Sequence, residues 1–119
     1  MLGRLSSLRP EALKLLWDAR EACRLVMVFV ESRTFSDFVD DQLLQSGVER
    51  QLEIVGEALR RLSGTDPETA GSIPELRRIV GFRNVLAHGY DSVSERVVWD
   101  VVAHDVPRLA AVLDGLLNA

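Results

Sequence analysis

Val48-Glu49-Arg50-Gln51-Leu52-Glu53-Ile54-Val55-Gly56-Glu57-Ala58-Leu59 is the stretch whose reading decides the fold. Its apolar residues recur three and four apart, the period of an α-helix with one buried face. The stripe continues both ways, from Phe38 and Leu44 through Val48, Leu52, Val55 and Leu59 to Leu62. A long helix is therefore expected to begin near Ser36, whose hydroxyl can cap the first amides. Ser63-Gly64-Thr65-Asp66-Pro67 ends it. Glu57 and Arg61 stand four apart, a pair worth about 0.2–0.5 kcal/mol on a helix surface. Gly56 costs stability relative to alanine in a helix interior, and a glycine there implies a second backbone passing close by.

Working outward, Pro10 suits the first turn of a preceding helix, with Glu11 complementing the dipole. Its core stripe is Ala12, Leu16, Ala19, Cys23, Val26 and Val30. Leu25 to Val30 is apolar all round, which predicts burial on more than one side, in the core or against another subunit. On the other flank, residues 65–73 read as a polar loop. Pro74 opens a third helix through Leu76, Ile79, Val80 and Phe82 to about His88, and Gly89 stops it. A last helical region covers Ser94 to Leu117, with Val97, Val98, Val101 and Val102 on one side. Pro107 disfavours helical geometry at Val106, so a break is expected at His104-Asp105, with Asp105 capping a final helix of Leu109, Val112, Leu113 and Leu116. No period-2 alternation, hairpin signal or internal repeat is present. The expected architecture is an all-α, up-and-down bundle of four to five helices, in one domain over residues 1–119.

Composition narrows the function classes. The chain has 119 residues, 47% hydrophobic and 27% charged, as an ordinary soluble protein does. Leu25 to Val30 is far too short to span a bilayer, and Met1 to Leu8 lacks the apolar region of a signal peptide. A cytoplasmic protein with no membrane partner is expected. Cys23 is the single cysteine and reads as a small buried hydrophobe. The net charge of −4 argues against coating nucleic acid nonspecifically but leaves room for a local basic site. The skew to arginine over lysine is attributed mainly to a GC-rich genome.

The chemistry concentrates in Arg83-Asn84-Val85-Leu86-Ala87-His88-Gly89-Tyr90. Arginine is a permanent cation whose planar fork suits phosphate. Histidine trades protons near neutral pH. Together they are a minimal kit for cleaving RNA without a metal. Five helical steps set Arg83 and His88 roughly 140° apart, so they converge only loosely within one subunit. A two-fold dimer would bring two copies of each to one cleft. The plain structural alternative is a histidine at a helix C-terminus, an Arg83–Glu57 ion pair and a packing tyrosine. Glu57 reads as the partner of a buried donor near the cleft, with Arg83 as that donor. Arg60-Arg61 and Arg77-Arg78 read as solvated faces, and Arg77-Arg78 is the better RNA path because it precedes the motif on the same helix. His104 reads as a helix-terminal or surface histidine, and Trp17 and Trp99 as core or interface residues.

These residues resemble a known family. Arg83-Asn84-Val85-Leu86-Ala87-His88-Gly89-Tyr90 is similar to the Arg-Asn-x-x-x-His-x-Tyr signature of HepT-like (DUF86-type) proteins of the HEPN superfamily. Phe38-Val39-Asp40, Ile54-Val55-Gly56-Glu57-Ala58, Val97-Val98-Trp99 and Asp105-Val106-Pro107-Arg108-Leu109 also look like that family's segments. The resemblance covers roughly Leu13 to Leu117. Gly81-Phe82 departs from the glycine-methionine common in relatives, which touches packing only.

The resemblance implies the toxin of a type VII-like toxin–antitoxin pair, acting as a metal-independent endoribonuclease on tRNA or mRNA. It implies a homodimer with the motif at the subunit interface. It also implies a cognate minimal nucleotidyltransferase antitoxin that silences the toxin by AMP transfer to Tyr90. On that basis Arg83 and His88 are the expected catalytic residues. Asn84, Tyr90, Arg77 and Arg78 are the expected phosphate and RNA contacts. No cofactor or metal is expected, because the carboxylates show no ligand spacing with His88 or His104 and Cys23 stands alone. The competing expectation is a non-enzymatic HEPN binding module that partners a nucleotidyltransferase.

Overall fold

The structure is a computed structural model and describes residues 8–88 and 93–118. Its elements are α1 (Pro10–Val30), α2 (Phe35–Val39), α3 (Gln42–Thr65), α4 (Pro67–Gly71), α5 (Leu76–Ala87), α6 (Glu95–Asp100) and α7 (Val106–Leu117). A π-helical turn, Val101–Asp105, joins α6 to α7. There is no strand among the described residues, so the all-α bundle is as the hydrophobic period requires. Four long helical rods make the bundle: α1, α3, α5 and the continuous α6–π–α7. The two remaining helices are single short turns.

Helix α3 is the spine. Leu44, Val48, Leu52, Val55, Leu59 and Leu62 are all buried along it, as the stripe predicts. It packs on both α1 and α5, and α7 packs on α1 in turn. Leu15, Leu16, Ala19, Cys23 and Val26 supply the α1 side of the core, and Leu109 and Leu113 the α7 side. Each fully buried leucine or valine adds about 1.5–3 kcal/mol of transfer free energy. Cys23 lies wholly inside this core, and burial pushes its thiol up to about 12, so it is inert.

Four local expectations need correction. The helix expected from Ser36 onward is two helices, broken at Asp40-Asp41. Thr34 caps α2 in a capping box with Asp37, and Asp41 caps α3 by accepting from the Leu44 amide at 3.0 Å. Residues 65–73 are not a plain loop: Asp66 caps the short α4, whose Thr69 and Ala70 are buried along with Ile73. Helix α5 opens at Leu76, two residues beyond Pro74. Pro107 does not open a gap, because the π turn accommodates it and the rod runs on through it into α7. Asp105 therefore makes no cap. It is buried, with 4% of its surface exposed, and Arg78 Nε of α5 lies 2.8 Å from its Oδ2, as an ion pair rather than an aligned hydrogen bond.

The apolar end of α1 is buried in part within this chain, at Val26. Met27 and Val28 are exposed, as is Trp17 further along the helix. Trp99 packs against Phe38, with ring centroids 5.3 Å apart. His104 is exposed on the π turn. No helix among the described residues is long and apolar enough to cross a membrane.

Candidate active site around Arg83

Arg83 is set by a gap in α3. A Cβ on Gly56 would stand 2.1 Å from Arg83 Cβ and 2.6 Å from its Cγ, with the Ile79 carbonyl 3.3 Å away. Only glycine leaves room for α5 to lie this close to α3. The side chain's stem crosses the α3 backbone at that point, and its head reaches the next residue of α3. Arg83 Nη2 lies 3.2 Å from Glu57 Oε1. Arg83 Nη1 donates to Asn84 Oδ1 at 3.1 Å. Arg83 Nε is buried and makes no hydrogen bond.

Glu57 has a second partner. Arg60 Nε donates to its Oε1 at 3.0 Å and Arg60 Nη2 to its Oε2 at 2.9 Å, a bidentate clasp one turn along α3. The Arg60 clasp is the first cause that holds the Glu57 carboxyl below its ordinary range; desolvation opposes it, and the charges of Arg60, Arg83 and Arg61 add to the lowering. Among the described residues Arg61, four residues on from Glu57, makes no ion pair, and the i,i+3 neighbour Arg60 takes its place.

Arg83, Glu57 and Arg61 line a groove of about 470 Å³ between α1, α3 and α5. Trp17 and Glu21 form its α1 wall, Arg50, Glu57 and Arg61 its α3 wall, and Arg83 and Ala87 its α5 wall. His88 is not in the lining. It is the C-cap of α5, exposed, with its backbone N–H bonded to the Asn84 carbonyl at 3.2 Å. The helical angle already separates Arg83 from His88, and of the two only Arg83 lines the groove. Tyr90 lies outside the described residues.

The other expected contacts are elsewhere. Arg77 lines a separate groove at the start of α5, with Ser63 and Pro67. Arg78 is committed to Asp105. Arg50 was not singled out in the sequence, where it reads as one more charge on α3. Its signal is the seven-residue spacing to Glu57, which puts both on one helix face. Among the described residues no three His, Cys, Asp or Glu side chains are grouped as metal ligands.

Comparison with known proteins decides the family. Residues 19–116 match the Ribonuclease HepT-like family. The chain belongs to that family. A Thermococcus cleftensis protein named "Probable ribonuclease HepT" is 35% identical over 83% of this chain and 89% of its own length. "Putative RNase TTE0752" of Caldanaerobacter subterraneus is 33% identical over 82% of this chain and 87% of its own. "Putative RNase MJ1380" of Methanocaldococcus jannaschii is 31% identical over 79% and 85%. No solved structure matches the chain. The all-α bundle agrees with the HEPN-like fold that the sequence resemblance implied.

Proposed function

We propose that this HepT-like chain is a metal-independent endoribonuclease, the toxin of a pair whose antitoxin is a minimal nucleotidyltransferase. The observation that carries the nuclease reading is the state of Arg83. Its stem is wedged over Gly56 and its two terminal nitrogens are held by Glu57 and Asn84. A guanidinium has five N–H groups, so each terminal nitrogen keeps one to offer to a phosphate oxygen. A fixed cation with donors to spare is what stabilises charge building on a phosphorane. The family membership and the names of the relatives support RNA as the substrate.

In this mechanism the ribose 2′-oxygen attacks the neighbouring phosphorus and the P–O5′ bond breaks. One His88 takes the 2′-hydroxyl proton, and a second His88, from the partner subunit of a homodimer, gives a proton to the leaving 5′-oxygen. The products are a 2′,3′-cyclic phosphate and a 5′-hydroxyl. Arg83 holds the scissile phosphate, and Asn84 holds Arg83. Tyr90 contacts RNA, and Arg77 meets the strand roughly 16 Å from His88 along α5. Two copies are needed because Arg83 and His88 diverge within one protomer. The exposed Trp17, Met27 and Val28 supply apolar surface for a partner. AMP transfer from a nucleoside triphosphate to the Tyr90 hydroxyl, releasing pyrophosphate, places an anionic group two residues from His88 and blocks the site.

The test is cleavage of RNA in EDTA by protein whose intact mass shows no AMP, beside Arg83→Ala and His88→Ala. The reading expects cleavage with cyclic phosphate ends, lost in both variants. A folded, unmodified dimer that leaves total RNA intact would overturn it. Tyr90→Phe should escape the antitoxin while keeping toxicity, and covalent AMP still found on that variant would place the modification elsewhere.

A further inference from the structure

We propose that Glu57 is the positioning residue for Arg83, and that Arg60 completes the device by holding Glu57. The inference rests on the reading of Arg83 as the phosphate-holding side chain and extends it to two residues of a different helix.

A carboxylate beside a catalytic cation can do two opposite things. It can occupy the cation and cancel it, or it can aim the cation and leave its charge in place. The structure separates these by counting partners. Glu57 is clasped bidentately by Arg60, at 3.0 and 2.9 Å, and touches Arg83 through one oxygen only, at 3.2 Å. Arg60 already balances the carboxylate. The trio Arg60–Glu57–Arg83 carries one net positive charge, and the cation with the looser contact is Arg83. Glu57 thus steers Arg83 without neutralising it.

Geometry agrees. Arg83 is the more buried of the two partners, with 26% of its side chain exposed against 36% for Glu57. Its Nε is shut away from solvent with no acceptor. A long side chain would not keep that unfavourable arrangement unless its two ends were fixed. Gly56 fixes the stem, and Glu57 with Asn84 fixes the head. Because Gly56 and Glu57 are consecutive on α3, one turn of that helix sets both. The Glu57 carboxyl, held below its ordinary range chiefly by Arg60, stays ionised at any pH where the protein would work.

The experiment uses the full-length protein and a short oligoribonucleotide, with Glu57→Gln and Arg60→Met beside the wild type. Rates are normalised to the folded fraction by circular dichroism. Loss of aim should lower kcat by about 10–100-fold in Glu57→Gln, with KM changed by no more than about threefold. Arg60→Met should show the same pattern at smaller size. Independently of activity, exchange of the Arg83 Nε–H, followed by ¹⁵N NMR, should quicken by about tenfold or more in Glu57→Gln. Unchanged kcat, a higher kcat, or an Nε–H exchange rate equal to wild type would each overturn the proposal. If the wild type leaves RNA intact while Glu57→Gln still frees the Arg83 Nε–H, the nuclease reading fails and the positioning of Arg83 stands.

Discussion

Two arginines on α5, five residues apart, face opposite situations. Arg78 has a head 66% exposed and reaches a carboxylate only 6% exposed, Asp105 in the π turn. Arg83 is itself the more buried partner, and its carboxylate, Glu57, is shared with a second arginine. At Arg78 the cation serves the anion, because Asp105 is the buried partner and Arg78 reaches it from the surface. At Arg83 the anion serves the cation, because Glu57 is already satisfied by Arg60. The first pair ties the start of α5 to the C-terminal rod and belongs to stability. The second aims a cation into a groove and belongs to chemistry. The same residue type, on the same helix, is sorted by which partner is buried.

The comparison can be strained first at Gly56. Gly56→Ala forces α5 away from α3 at Arg83, since a Cβ cannot share 2.1 Å with another. It should cost about 3 kcal/mol, at the upper end of overpacking penalties, and thermal unfolding would report it. A substitution tolerated without loss would mean that α5 sits farther from α3 than described. Arg78→Ala comes next. It leaves the Asp105 carboxylate buried without a cation and should cost about 2 kcal/mol, less than a fully enclosed pair because the arginine head is exposed. Replacing both, as Arg78→Met with Asp105→Leu, should recover most of that loss. If the double variant is no better than Arg78→Ala, Asp105 has a second role.

Smaller effects are expected on the other side. Arg83→Ala leaves Glu57 with Arg60, so its stability cost should stay under about 1 kcal/mol, below that of Arg78→Ala. The reverse order would erase the distinction between the two pairs. The smallest signal is in pH. The folded Glu57 carboxyl lies below its ordinary 4.5. Its contribution is complete above that value and is lost as pH falls through the lower, folded value. Melting curves at pH 5 and pH 3.5 should therefore drop less for Glu57→Gln than for wild type. An equal drop would mean that the clasp adds nothing to the fold.

Much of this was legible in the chain. The α3 stripe, the close approach at Gly56 and the Glu57–Arg83 pair follow from spacing and residue type. So does the divergence of Arg83 and His88, which five helical steps impose. What escaped depends on small shifts of backbone that a period cannot reveal. The break at Asp40-Asp41 was hidden because Phe38 and Leu44 stay apolar across it. Helix α4 is a five-residue turn, too short for a hydrophobic period to show. Asp105 looked like a cap because an aspartate two residues before a proline often is one. The π turn keeps the rod continuous instead, swings the carboxylate inward and creates the partner for Arg78. In the apolar run at the end of α1, Val26 is buried and Met27 and Val28 are exposed, because the run covers more than one face of the helix.

The most direct test of the account sets Arg83→Ala beside Arg78→Ala on one RNA substrate, with cleavage normalised to folded protein. Arg83→Ala should lose at least about 100-fold, the size of removing one donor to a developing oxyanion. A rate within about threefold of wild type is expected for Arg78→Ala, whose contact is spent on Asp105. Equal losses in the two variants, or the larger loss at Arg78, would contradict the account.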